Sequence, residues 1–187
     1  LNDLENSNIL EIGSGLCNFC MILTSQLESF SYICLDIPEM IPNGYYSIYK
    51  NCSDNNIELF LPQEIKKFFK SKCKKKILFI LPSQIKSIDL KIKLFVNHES
   101  FAEMDISTVN KYLKEIKKKL DKNSFVFLVN RIARQNAHSN NLSFDTYTLF
   151  SDYNLDGLNT VVKEIDSYRD LFKGREIREN LFYIGKK

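Results

Sequence analysis

Short runs of apolar residues alternate along the chain with segments whose apolar residues recur at helical spacing. The nearly continuous apolar runs predict buried strands over residues 9–13, 32–36, 76–81, 92–97 and 124–130. Three other segments place their apolar residues on one face and predict amphipathic helices over 16–27, 62–73 and 106–120. This alternation is typical of a parallel sheet covered by helices on both faces.

The pattern changes after residue 150. Two strands are predicted over 159–166 and 180–187, separated by a short polar stretch that favours an antiparallel pairing at the sheet edge. We therefore predict an α/β fold with a Rossmann-like, seven-stranded, mostly parallel sheet, an antiparallel C-terminal edge hairpin, and helices on both faces. Segment 41–62, with its turn signals and three tyrosines, receives no assignment.

A glycine turn follows the first predicted strand, in the sequence ILEIGSGLC. Gly13 and Gly15 bring backbone N–H groups close to a ligand. A dinucleotide fingerprint needs a third glycine at position 18, where this chain has Asn18. The acidic Glu11 inside a buried strand favours the S-adenosylmethionine pattern instead, which the sequence matches except at Cys17.

Asp36 ends the second predicted strand, where an acid accepts hydrogen bonds from the ribose hydroxyls of either nucleotide. The predicted C-terminal hairpin distinguishes the two cofactors. Such a hairpin is typical of class I methyltransferases, and a dinucleotide-binding domain does not need it. We predict S-adenosylmethionine as the cofactor, with a nicotinamide or flavin nucleotide and a non-binding relic as alternatives. The predicted cofactor-binding residues are Glu11, Gly13, Ser14, Gly15, Asp36, Ile37 and Asn97.

The chain has five cysteines, and this odd number favours reduced thiols and a cytoplasmic location. Cys17 stands where a glycine is common. We predict that it keeps a negative φ and is tolerated at the start of the first helix. Cys17 and Cys20 form a C-x-x-C pair, for which core packing and a thioredoxin-like redox role are the alternatives. A second such pair is absent from the sequence, and we predict no metal site.

Five segments occur in the order found in the sugar O-methyltransferase family: ILEIGSG, YICLDIPEM, VNHESFAEMDISTVNKYLKEIKKKL, FVFLVNR and DYNLDGLNTVVKEI. The chain resembles this class I S-adenosylmethionine-dependent group, which is associated with bacterial surface glycans. The most distinctive shared motif is Asn97-x-x-Ser100-Phe101-x-Glu103-Met104. The resemblance covers most of residues 8–187. It implies one methyltransferase domain over 1–187, lacking the N-terminal helical region of family members.

The resemblance also implies methyl transfer to the hydroxyl of a sugar, nucleotide-sugar or glycan. His98 or Glu103 is predicted to take the hydroxyl proton, and Ser100 and Arg131 to bind the substrate. The alternatives are a helix-start carboxylate for Glu103 and pairing with an acid for Arg131. Two rival functions stay open: a class I methyltransferase of another small molecule, lipid or protein, and a non-catalytic binding module.

Composition and charge limit the partners. With 187 residues, 44% of them hydrophobic and 26% charged, the chain has the size and balance of one globular domain. Its net charge of +3 is too small to argue for nucleic acid, and it contains no apolar run of about 18 residues. We predict neither a nucleic-acid partner nor a membrane span. The lysine-rich segments 70–76 and 114–120 are either solvated faces or attract an anionic substrate.

Overall fold

A computed structural model of the protein describes residues 2–52, 56–131, 133–135, 147–169 and 177–187. Within these ranges the α-helices are α1 (Asn18–Gln26), α2 (Ile41–Asn51), α3 (Ile65–Lys70) and α4 (Ile106–Lys119). The strands are β1 (Ser7–Ile12), β2 (Phe30–Leu35), β3 (Ile57–Phe60), β4 (Lys75–Ile80), β5 (Ile92–His98), β6 (Leu120–Arg131), β7 (Ala133–Gln135), β8 (Tyr147–Leu149), β9 (Asn159–Arg169) and β10 (Ile177–Lys186). Short 3-10 turns include Pro62–Glu64, Pro82–Ser87 and Ser100–Glu103.

Eight strands form one sheet in the order β3-β4-β2-β1-β5-β6-β10-β9. Strands β1 to β6 pair in parallel, while β10 runs antiparallel to both β6 and β9. The predicted mostly parallel sheet with its antiparallel C-terminal hairpin is confirmed. The predicted number of seven strands is wrong, because β3, from the unassigned segment 41–62, adds an eighth strand beside β4.

Each face of the sheet packs against its own helices, because successive residues of a strand point to opposite faces. Leu10 of β1 lies in a core with Val109 of α4, whereas its neighbour Ile9 lies in a second core with Cys20 of α1. Helices on both faces are therefore confirmed. No described helix is both long enough and apolar enough to cross a membrane.

Asp105 caps the start of α4. Asp105 accepts a hydrogen bond from the Thr108 N–H at 3.0 Å, which satisfies one of the N–H groups that a helix start leaves unpaired. The cap therefore sets the end of the segment that connects β5 to α4. Since β1, β2 and β5 are parallel, the segments that follow their carboxyl ends meet at one edge of the sheet.

Candidate functional site

A cavity of about 500 Å³ lies at this edge, where open α/β sheets bind ligands. Seven of the predicted site residues line it: Gly13, Gly15, Asp36, Ile37, His98, Ser100 and Glu103. The other four lie outside its lining: Glu11, Ser14, Asn97 and Arg131. The structure thus brings the predicted cofactor turn and the predicted catalytic segment together around one space.

The glycine turn needs its glycines for two reasons. Gly13 and Gly15 both have positive φ, 70° and 53°, which side chains disfavour. A Cβ on Gly13 would also overlap the side chain of Ser100. The Gly13 N–H donates to the Leu35 carbonyl oxygen at 2.8 Å, which ties the turn to the end of β2. The turn therefore packs directly against the segment that follows β5.

Asp36 has a fixed orientation at the rim of the cavity. Its Oδ2 accepts the N–H of Gly15 and its Oδ1 accepts the N–H of Ile37, each at 2.8 Å. Each carboxylate oxygen can accept more than one hydrogen bond. Both oxygens thus keep capacity for donors on a ligand in the cavity.

Cys17 adopts a left-handed backbone conformation, which its sequence position does not predict. Its φ is 60° and its ψ is 34°, so the predicted negative φ is wrong. The Cys17 N–H donates to the Ser14 carbonyl at 2.7 Å, while its own carbonyl accepts the Met21 N–H at 2.9 Å and so begins α1. Cys17 therefore closes the glycine turn with its N–H and starts α1 with its carbonyl. It makes both hydrogen bonds from a left-handed backbone.

The thiols of the C-x-x-C pair are buried. Cys17 Sγ lies 3.6 Å from Cys34 Sγ of β2. Contact with Cys34, together with burial, raises the pKa of the Cys17 thiol far above its ordinary value, and burial raises the pKa of Cys20. Both thiols stay protonated near neutral pH, whereas redox and nucleophilic chemistry uses the thiolate. Core packing thus accounts for the pair better than the redox alternative.

Helix α2 supports the glycine turn through Gly44. A Cβ at Gly44 would lie 2.8 Å from Cys17 Sγ and 2.9 Å from the Gly15 carbonyl oxygen. Only a glycine lets α2 approach this closely without displacing its neighbours. Since α2 belongs to the unassigned segment 41–62, the sequence pattern did not reveal this support.

Glu11 lies behind the turn, with 3% of its surface exposed. The Tyr32 hydroxyl donates to its Oε2 at 2.8 Å. Burial, opposed by the Tyr32 hydrogen bond and aided by the nearby charge of Asp36, raises the pKa of Glu11 to about 8. Glu11 is therefore mostly protonated at neutral pH.

Two buried asparagines hold the segment after β5. The Asn97 amide donates to the Ile12 carbonyl at 2.9 Å, and its oxygen accepts the N–H of Phe101 at 3.3 Å. The same oxygen accepts the Asn130 amide at 2.9 Å, and the Asn130 oxygen accepts the Ala102 N–H at 3.1 Å. Both side chains are fully buried, so Asn97 fixes the cavity wall from behind.

The wall itself presents exposed His98 and Glu103 to the cavity. Ser100 donates to the Ile12 carbonyl at 3.1 Å, and Ser100–Glu103 forms a 3-10 turn. Arg131 is half-buried at the end of β6. Among the described residues, no group of three or more His, Cys, Asp or Glu side chains is arranged to hold a metal ion.

Several lining residues, among them Met40, Pro82 and Tyr112, have no site role that the sequence pattern predicts. Pro82 follows β4 at the same edge of the sheet, so the strand pattern is sufficient to predict that it lies near the cavity. Tyr112 lies on the apolar face of α4 and stacks on Phe101, with ring centroids 6.3 Å apart. Burial, and then the charge of Asp36, raises the pKa of Tyr112. In the sequence, Tyr112 has the helical spacing of a core residue. Its contact with the cavity therefore could not be predicted from that spacing.

A cavity at the carboxyl edge of a mostly parallel sheet is typical of open α/β folds, which bind their ligands there. Neither a protein-family model nor a curated protein matches the sequence. A methyltransferase from Methanosarcina mazei, described as S-adenosylmethionine-dependent, shares 13% identity at a TM-score of 0.64, covering 98% of this chain and 93% of that chain.

Two further solved structures share the architecture. TehB from Haemophilus influenzae has a TM-score of 0.65 at 12% identity, with 100% of this chain and 59% of that chain covered. The N-methyltransferase NodS from Bradyrhizobium japonicum, in complex with S-adenosylhomocysteine, has a TM-score of 0.59 at 12% identity, covering 97% and 78%. The chain therefore has the Rossmann-like fold of S-adenosylmethionine-dependent methyltransferases, here with an eight-stranded sheet.

Proposed function

We propose that the protein binds S-adenosylmethionine in the cavity and transfers its methyl group to a sugar hydroxyl. The arrangement of Asp36 is the main support, because backbone N–H groups of the glycine turn and of Ile37 orient both carboxylate oxygens at the cavity rim. A volume of about 500 Å³ lies within the usual range for small-molecule sites. The bound S-adenosylhomocysteine of NodS belongs to a protein of the same fold.

In this proposal Asp36 accepts hydrogen bonds from the two ribose hydroxyls. Gly13, Ser14 and Gly15 let the ligand approach the backbone, and Ile37 supplies an apolar contact. Glu11 acts from behind the turn, since a cationic ligand group nearby would favour its ionised form against burial. Asn97 contributes by holding the Ile12 carbonyl and the Ser100–Glu103 turn in place.

When bound, S-adenosylmethionine supplies an electrophilic methyl group on a sulfonium. The protein must align the acceptor with it, and such alignment alone can lower the barrier by about 7–11 kcal/mol. A sugar hydroxyl is a poor nucleophile, so Glu103 or His98 takes its proton from the cavity wall. Ser100 and Arg131 bind the acceptor. The sugar itself is inferred from the family resemblance, and another small-molecule acceptor is the second candidate.

Calorimetry tests the cofactor. We expect wild-type protein to bind S-adenosylhomocysteine and not NAD, and Asp36→Ala to weaken binding at least about tenfold, because hydrogen bonds to a charged group are lost. Asp89→Ala, at an exposed acid outside the cavity lining, is the matched control and should bind normally. Binding of NAD alone, or equal affinity of Asp36→Ala and wild type, would contradict the proposal.

Methyl transfer from labelled cofactor to nucleotide-sugars and extracted glycans tests the chemistry. Glu103→Gln and His98→Gln are tested side by side. The variant that lacks the base should lose about 10²–10⁴-fold in kcat, and the other should keep most of its activity. If both variants keep full turnover, the wall is structural and the assignment of the base is wrong. Transfer to non-sugar acceptors alone would refute the sugar and leave the methyltransferase.

A further inference from the structure

A second cavity, of about 450 Å³, opens beside the first between the Pro82–Ser87 turn and α4. Pro82 and Tyr112 line both cavities, so the two spaces adjoin. We call the second one the lysine groove, after its cationic lining of Lys86, Lys111, Lys114 and Lys118. The proposed methyl transfer does not use it.

The charge of the lysine groove is largely unneutralised. Glu115 is the one acid among its lining residues, and Lys118 donates to it at 2.7 Å. Lys86, Lys111 and Lys114 make no ion pair or hydrogen bond with any residue that the structure describes. Three exposed lysines therefore line one groove without an acceptor among the described residues.

Neighbouring lysines of the same helix differ in this respect. Lys117 donates to Asn154 Oδ1 at 2.7 Å, and Lys119 donates to the Ile88 carbonyl at 2.5 Å. These two charges already have acceptors from the protein. The contrast separates lysines that hold the fold together from the set that is left for solvent or a ligand.

The number of these lysines and the elements that carry them indicate the ligand. Lys111 and Lys114 lie on one side of α4, about 4.5 Å apart along the helix axis, and Lys86 comes from the facing turn. One carboxylate would neutralise one of three charges, whereas a diphosphate matches the set, and lysine binds phosphate as a point charge. A track this short fits a small molecule better than an extended nucleic-acid strand. We propose that the lysine groove binds a diphosphate-bearing small molecule beside the cofactor cavity.

Calorimetric titration with inorganic pyrophosphate at low ionic strength tests this. We expect Lys111→Ala/Lys114→Ala to weaken binding about tenfold or more, and Lys111→Arg/Lys114→Arg to retain it, because the charge is kept. Lys50→Ala/Lys72→Ala is the control, since it removes two exposed charges outside the groove. S-adenosylhomocysteine affinity should be equal in all these variants, which confirms that they fold.

A nucleoside diphosphate and a short prenyl diphosphate, titrated in parallel, identify the source of the diphosphate by which of them binds more tightly than pyrophosphate. Absence of pyrophosphate binding in wild-type protein would overturn the inference, as would an equal loss in the control variant. Binding of a single-stranded oligonucleotide without pyrophosphate binding would overturn it too. If pyrophosphate binds and S-adenosylhomocysteine does not, the groove stands and the proposed function fails.

Discussion

Position 17 offers a sharp test of how the glycine turn is built. Cys17 has a left-handed backbone and a fully buried thiol, and these two features have opposite effects on stability. Replacement by alanine removes the thiol and keeps the strain. Replacement by glycine removes both. The comparison of these two variants therefore isolates the backbone contribution from the packing contribution.

The magnitudes follow from the local structure. Losing the buried sulfur, which contacts Cys34 at 3.6 Å, should cost about 1–2 kcal/mol in either variant. The left-handed conformation costs a residue with a side chain about 1–2 kcal/mol. Glycine escapes that cost but loses more backbone entropy on folding. We therefore expect Cys17→Gly to be about 1 kcal/mol more stable than Cys17→Ala.

Cys20 provides the matched control, because it is a buried cysteine inside the regular part of α1. There, alanine should be the better replacement, by about 1 kcal/mol. Urea unfolding of the four variants measures both differences, and their signs should be opposite. If alanine is the more stable replacement at position 17 as well, the left-handed backbone there is not strained and the argument fails.

Three further predictions concern the residues behind the cavity. Because burial raises the pKa of Glu11 from 4.5 to about 8, the folded protein keeps a proton that the unfolded chain releases in this pH range. The free energy of unfolding should therefore fall as the pH rises from about 4.5 to 8, by up to about 1.4 kcal/mol per pH unit. Glu11→Gln should remove this slope in urea titrations repeated across the pH range. Asn130→Ala removes two buried hydrogen bonds, one from the Ala102 N–H and one to the Asn97 side-chain oxygen, and should lower the free energy of unfolding by about 1–3 kcal/mol, whereas an unchanged urea midpoint would show that water replaces the amide. Gly44→Ala should destabilise the protein by about 1–3 kcal/mol, because the added Cβ clashes with Cys17. Adding Cys17→Gly to this variant should recover part of the loss, as measured in thermal melts. If the effects of the two substitutions simply add, the two residues are not in direct contact.

The central strands were predictable because their signal is local. Residues buried on both faces of a parallel sheet give short apolar runs, and a glycine turn or an acid directly after such a run marks the carboxyl edge. Strand β3 was missed because it is a four-residue edge strand in which only Phe60 is buried. Helix α2 was missed because exposed Tyr46 and Tyr49 obscure the spacing of its buried positions.

The backbone of Cys17 and the role of Asn97 had no local signal. A negative φ is the default for any residue other than glycine, and only the hydrogen bonds on both sides of Cys17 reverse that expectation. The Asn97 amide binds a carbonyl 85 residues earlier in the chain and pairs with Asn130, 33 residues later. Neither partner can be inferred from a short motif, because both depend on which strands become neighbours.

The site therefore consists of two layers that a linear motif does not separate. In β1, Ile12 lines the cavity while the preceding Glu11 lies behind it, because adjacent strand residues point to opposite faces. The same division holds where β5 ends, because Asn97 of the strand is buried and Glu103 of the following turn is exposed to the cavity. Replacing an exposed side chain of the front layer, such as Glu103, should change ligand binding at nearly constant stability. Replacing one of the rear layer should change both, since the front layer takes its position from the rear.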